Sequence, residues 1–193
     1  NYDGIELVAA DANVISGILI KNCVLKNTNH NIYLLNAFGG VFIDNIIESN
    51  LIEGGNNGIW ADNGGGNAFG KNYIFKNIII NIGHDAGYGL LIAQDSIEVE
   101  NNIFWGNRIA TYFDPFAKGS KVKNNSFYQN EKSIILSTGS VDNQFLNNTY
   151  ALNSAAVFNM NETEGVIFAN SNIFTESGQQ NIVINNTSQD IDF

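Results

Sequence analysis

One pattern constrains this chain of 193 residues more than any other: an apolar residue, any residue, then asparagine, recurring seven times in near-constant register. The occurrences are Ile20-Lys21-Asn22, Ile43-Asp44-Asn45, Phe75-Lys76-Asn77, Val99-Glu100-Asn101, Val122-Lys123-Asn124, Phe145-Leu146-Asn147 and Phe168-Ala169-Asn170. Successive asparagines are 23, 32, 24, 23, 23 and 23 residues apart. Self-similarity at a fixed period marks a repeat architecture. Within each unit the apolar residues alternate with polar ones, which is strand rather than helix periodicity. A unit of ~23 residues holds about three short strands, too few for a propeller blade of four, and it lacks the leucine frame of leucine-rich repeats. The reading is all-β: a parallel solenoid of about eight coils, with residues 1–193 as one domain.

Asparagine makes up 33 of the 193 residues, while only 15% are charged, against about 25% in an ordinary globular protein. Stacked coils give a reason. Asparagine tolerates the left-handed backbone of a tight corner. Its amide can also donate to one neighbouring coil and accept from the other, so a buried polar group stays satisfied. The seven asparagines are expected to form such a buried ladder, with Asn107, Asn130 and Asn153 forming a second. The residue before each ladder asparagine should point outward, which places Lys21, Asp44, Lys76, Glu100 and Lys123 in one row of alternating charge.

Composition narrows function. A formal net charge of −10 with a single arginine, Arg108, argues against nucleic acid, which needs a basic face. The apolar runs are too short to cross a bilayer. One cysteine, Cys23, allows no internal disulfide and no structural zinc site. The first strand starts at Gly4-Ile5-Glu6-Leu7 and the last ends near Asn181-Ile182-Val183-Ile184. Solenoids need polar caps, so this is expected to be a segment of a longer chain, capped by a flanking domain or a partner chain.

The repeat core, as in Val99-Glu100-Asn101-Asn102-Ile103-Phe104, is followed by Gly-apolar strands such as Gly58-Ile59-Trp60 and Gly89-Leu90-Leu91. Together these resemble the right-handed parallel β-helix of the pectin-lyase-like superfamily across essentially the whole chain. The resemblance implies a secreted or cell-surface protein acting on a polysaccharide, an acidic one by preference, through lyase, hydrolase or epimerase chemistry. The alternative is a non-catalytic β-helix, either glycan-binding or structural, as in an adhesin or fibre segment. Phe113-Asp114-Pro115-Phe116 resembles the Phe-Asp-Pro-His core of mannuronan C5-epimerases, with Phe116 in place of the histidine, and implies an acid–base or substrate-orienting role for Asp114.

Candidate site residues come from the departures from the repeat, because loops on a rigid coil carry function. His84-Asp85 has the form of a general base with an orienting carboxylate. Arg108 can grip a uronate carboxylate or move an α-proton, its plainer role being an ion pair with Asp85 or Asp114. Trp60 and Tyr33 on neighbouring strands suit a sugar platform, extended by Asp62, Tyr88 and Tyr112. His30, with no carboxylate near it in sequence, reads as surface. No metal-ligand spacing is present, although Asp62, Asp85, Asp95 and Asp114 follow consecutive outer strands. Calcium bridging an acidic sugar, as the resemblance implies for the superfamily's lyases, would draw on them.

Overall fold

The computed structural model describes residues 2–37, 39–64, 70–83, 87–155 and 157–169, together with the strands Ile173–Thr175 and Ile182–Asn185. Each strand pairs in parallel with its counterpart one coil later, so the chain winds as a β-solenoid. An eight-stranded long sheet contains Ile5–Ala9, His30–Asn36, Asn57–Asp62, Tyr88–Ile92, Ile109–Phe113, Lys132–Leu136, Phe158–Asn161 and Ile182–Asn185. The second sheet, of seven strands, runs from Leu19–Lys21 to Ile167–Ala169, and the third, also of seven, from Val24–Lys26 to Ile173–Thr175. Among the described residues no helix is long and apolar enough to cross a membrane.

Alternation decides what fills the interior. Ile59, Leu90, Thr111 and Ile134 sit in register on the inner face of the long sheet, all fully buried. From the third sheet, Phe104, Phe127 and Tyr150 stack at 4.9 Å per step. Like residues therefore lie on like residues, and the coil spacing sets their contact.

The corner between the second and third sheets takes two residues with separate tasks. The first adopts a left-handed backbone: Asn22, Ser49, Lys76, Asn101, Asn124 and Asn147 have φ between 52° and 57°. The second turns inward and forms the ladder, Asn50–Asn77–Asn102–Asn125–Asn148. Asn102 is representative. Its Nδ2 donates to Ile74 O at 2.9 Å and to Asn125 Oδ1 at 3.0 Å, while its Oδ1 accepts from Asn77 N at 2.9 Å and Asn77 Nδ2 at 3.1 Å. Every polar atom of this buried amide is satisfied, as a dry interior requires.

The expected ladder is corrected by this arrangement. Asn101, Asn124 and Asn147 are exposed corner residues, and the buried rungs are the residues after them. Asn22 is also an exposed corner, with Cys23 at the rung position, where its N–H donates to Asn50 Oδ1 at 2.9 Å. Asn77 is a rung as expected. Asn45 belongs to another, short ladder with Asn72 where the second sheet begins. Asn170 lies outside the described residues. The second expected column holds: Asn107, Asn130 and Asn153 are buried and linked at 3.0 and 3.1 Å.

Coil lengths explain the slip. Rung-to-rung steps are 27 residues from Cys23 to Asn50 and from Asn50 to Asn77, then 25, then 23. The extra length is thus spread over the early coils instead of being concentrated in one 32-residue unit. The charged row shifts with it. Lys21 pairs with Glu48 at 2.9 Å, next in register comes Phe75, then Glu100 and Lys123, joined at 3.1 Å. Asp44 and Lys76 are corner residues with φ of 55° and stand outside the row.

Candidate functional site

The outer face of the long sheet carries most of the residues singled out from sequence. Tyr33, Trp60, Leu91 and Tyr112 are in register on adjacent strands. Two positions further along these strands lie Asp62, Ala93 and Asp114, aligned by Ala93 N–H on Ala61 O and Asp114 N–H on Ile92 O. Trp60, Asp62, Leu91, Ala93, Asp114 and Phe116 line one depression of about 190 Å³. It combines two carboxylates, an apolar floor and an aromatic wall at each end.

The two carboxylates have different surroundings. Asp62 accepts from the Tyr33 hydroxyl at 3.0 Å and from Gly64 N–H at 3.0 Å, one donor on each oxygen. Burial raises the Tyr33 phenol above its ordinary range, and the Asp62 carboxylate adds to that. Among the described residues Asp114 accepts one long hydrogen bond, from Phe116 N–H at 3.4 Å. Burial pushes its carboxyl up; the Phe116 N–H opposes this, and the charge of Asp62 reinforces it. Asp114 therefore holds its proton above the ordinary carboxylate range.

Tyr88 and Tyr112 meet beside the depression with their rings tilted by 34° and 4.7 Å between centroids. The strand that carries Tyr88 starts from a close contact: a Cβ on Gly87 would overlap the Asn56 carbonyl, so only glycine fits there. Tyr88 N–H then donates to Asn57 Oδ1 at 3.0 Å. Burial holds the Tyr88 phenol above its usual range, as do Tyr112 and Asp114, while Arg108 acts the other way.

Arg108 does not join Asp114. It stands at the opposite end of the Ile109–Phe113 strand, with Nε 3.9 Å from Glu131. His84 and Asp85 lie outside the described residues. Asp95 stands apart from the depression beside Lys118, its carboxyl raised by burial against the pull of that lysine's charge. Among the described residues no three His, Cys, Asp or Glu side chains come together as a metal site. Ala93 lies on the coil between Asp62 and Asp114, both oxygens of Asp62 already accept a hydrogen bond, and Asp85, the remaining calcium candidate, lies outside the described residues.

A histidine–carboxylate pair that the sequence did not suggest lies at the edge of this face. His30 Nδ1 is 2.7 Å from Asp3 Oδ1, and His30 N–H donates to the same oxygen at 3.0 Å. The imidazole stacks on Tyr33 at 4.7 Å and meets Trp60 edge-on at 4.8 Å. Burial raises the Asp3 carboxyl, but the hydrogen bonds and charge from His30 outweigh it and hold the group below its ordinary value. The reading of His30 as plain surface is thereby corrected. The signal was the 27-residue first coil, which sets His30 beside Asp3; a 23-residue step pairs it with Leu7.

Parallel coils, inward amide ladders and a residue-rich outer sheet define a β-helix repeat protein. The family model described as "Right handed beta helix region" matches residues 47–193, about three quarters of the chain. The chain belongs to that family, and the pectin-lyase-like resemblance is consistent with it. No curated protein and no solved structure matches the chain.

Proposed function

We propose that the outer face of the long sheet binds an extracellular polysaccharide and that Asp114 and Asp62 hydrolyse it, as general acid and general base. The observation that carries this reading is the pairing of two unlike carboxylates in one depression: burial pushes the Asp114 carboxyl up, while Asp62 accepts from the Tyr33 hydroxyl and from Gly64 N–H. They sit two strand spacings apart, about 9.5 Å along the solenoid axis. Inverting glycosidases separate their carboxyl groups by roughly 6.5–9.5 Å, which leaves room for a water molecule. Asp114 donates its proton to the glycosidic oxygen as that bond to the anomeric carbon breaks. Asp62 takes a proton from water, which attacks the anomeric carbon from the opposite face. The products are a free alcohol and a sugar of inverted configuration. Asp114 is left ionised and Asp62 protonated, and solvent restores both.

Trp60, Tyr33, Tyr112 and Phe116 supply flat apolar faces for sugar rings on either side. Two acidic groups with no cation between them favour an uncharged ring at the cleavage point, so any acidic sugar belongs nearer Arg108. One observation favours binding without cleavage: both oxygens of Asp62 already accept a hydrogen bond, from the Tyr33 hydroxyl and from Gly64 N–H, which leaves them less free to take a water molecule. Incubation with polygalacturonate, alginate, xylan, galactomannan and β-glucan, following reducing ends and product anomers by NMR, separates these readings. Inverted products with wild type, abolished in Asp114→Asn and Asp62→Asn variants of unchanged circular dichroism, are expected. Unsaturated products, or turnover that survives both replacements, would refute the hydrolytic roles.

A further inference from the structure

The corner where the third sheet passes into the long sheet carries a second and larger groove, about 810 Å³. Its lining recurs once per coil, from Asn27 on the first to Ser154 on the sixth, a length of about 24 Å along the axis. The floor is polar: the amides of Asn81 and Gln129, the carboxylates of Glu53 and Glu131, and the guanidinium of Arg108. Arg108 and Glu131 touch only loosely, at 3.9 Å, and both remain more than a third exposed, so each keeps hydrogen-bonding capacity for a ligand.

Two exposed aromatic residues immediately precede lining residues Gly106 and Gln129 of this groove. Trp105 and Tyr128 are in register on adjacent strands of the third sheet, 49% and 38% exposed, with their rings 6.4 Å apart. The Trp105 indole N–H donates to Gln129 Oε1 at 2.8 Å, which ties the ring to a residue of the floor. The indole therefore presents its flat face in a fixed orientation while its only polar atom is already satisfied.

We propose that this corner is a second glycan-binding surface that holds a linear polysaccharide along the solenoid axis, independent of any cleavage at Asp62 and Asp114. The C–H face of a pyranose ring matches the exposed indole and phenol faces. Its hydroxyl groups match a floor that offers donors and acceptors at every coil. A peptide docking by strand addition needs a free sheet edge, and the strands on both sides of this corner are already paired within their sheets. Nucleic acid is opposed by the net charge of −10.

The chain contains only two tryptophans, Trp60 and Trp105, so each glycan surface has its own fluorophore. In the Trp60→Phe variant Trp105 is the sole indole, and in Trp105→Phe it is Trp60. Both variants are titrated with soluble polygalacturonate, alginate, arabinoxylan, galactomannan and mixed-linkage β-glucan. At least one of these polymers is expected to shift the emission of Trp60→Phe. Adding Tyr128→Ala in that background should weaken binding tenfold or more, and Asp114→Asn should leave it unchanged. Affinity electrophoresis of the otherwise wild-type protein against Trp105→Ala gives a reading independent of fluorescence: retention should fall in the variant. An unmoved Trp105 emission with all five polymers, or equal retention of wild type and Trp105→Ala, overturns the proposal. Turnover without a Trp105 response sinks the corner and leaves the hydrolase standing; a Trp105 response without turnover does the reverse.

Discussion

Asn124 and Asn125 are the same residue side by side, yet the structure assigns them different work, and their replacement by alanine should show it. Asn125 Oδ1 accepts from Asn102 N at 2.8 Å and Asn102 Nδ2 at 3.0 Å; its Nδ2 donates to Val99 O, Lys123 O and Asn148 Oδ1 at 2.9–3.1 Å. Truncation leaves the buried Asn102 N–H without its acceptor and removes a donor from Val99 O. An orphaned buried group costs about 1–3 kcal/mol, and each further lost bond about 0.5–1.5 kcal/mol. The orphaned Asn102 N–H and the bond lost at Val99 O together come to roughly 1.5–4.5 kcal/mol for Asn125→Ala, which in a protein of this size lowers Tm by about 3–18 °C. Asn124 is exposed with φ of 57°, and its contact is a 3.2 Å bond to Glu100. Its replacement by alanine adds only part of the roughly 1–2 kcal/mol that a Cβ costs in the left-handed region. Asn124→Gly, which lifts that constraint, should be close to neutral. Thermal melts followed by circular dichroism are the assay. If Asn124→Ala proves the more damaging of the two, the division between corner and rung is wrong.

Two pH effects follow from the carboxylates. Asp114 has a raised folded pKa, so the folded state binds more protons than the unfolded one and stability falls as pH climbs through the unfolded value toward the folded value. Asp114→Asn should therefore raise Tm at pH 7 and leave it nearly unchanged at pH 3; equal gains at both pH values would contradict the burial argument. Asp3 has the opposite sign: its depressed pKa contributes stability above the ordinary carboxylate value, and this is lost as pH falls through the lower folded value. Asp3→Asn should lower Tm at neutral pH, and the gap between the two melting curves should close as pH falls below the ordinary carboxylate value toward the lower folded one; a constant gap across that range would remove the His30 contacts as the cause.

The fold was readable because alternation and period survive even where length varies. A parallel solenoid needs an inward apolar side chain at every second strand position, and Val99, Val122 and Phe145 keep that under any choice of register. What sequence could not resolve was which of two adjacent asparagines turns inward, since the left-handed corner and the amide rung both suit that residue. Coil length was the second blind spot. Lys21 meets Glu48, and His30 meets Asp3, only because the early coils take 27 residues. The Tyr33–Trp60 pair was legible from the order of strands, whereas the difference between Asp62 and Asp114 depends on Tyr33, Gly64 and burial, which no spacing encodes.

The amide ladder also dictates how a chain of this kind can lengthen. Between Asn102, Asn125 and Asn148 every rung makes the same bonds to the rung 23 residues on. Duplicating or deleting one such segment joins identical donors to identical acceptors, so the seam is indistinguishable from any other step. Insertion of a single residue inside a strand would invert its inner and outer faces and break the ladder beyond it. Whole-coil duplication is thus tolerated by the ladder, alongside the loop insertions that lengthen the early coils to 27 and 25 residues. Each added coil extends the corner groove by about 4.8 Å, so the length of that groove is set by the number of times one short stretch of gene has been copied.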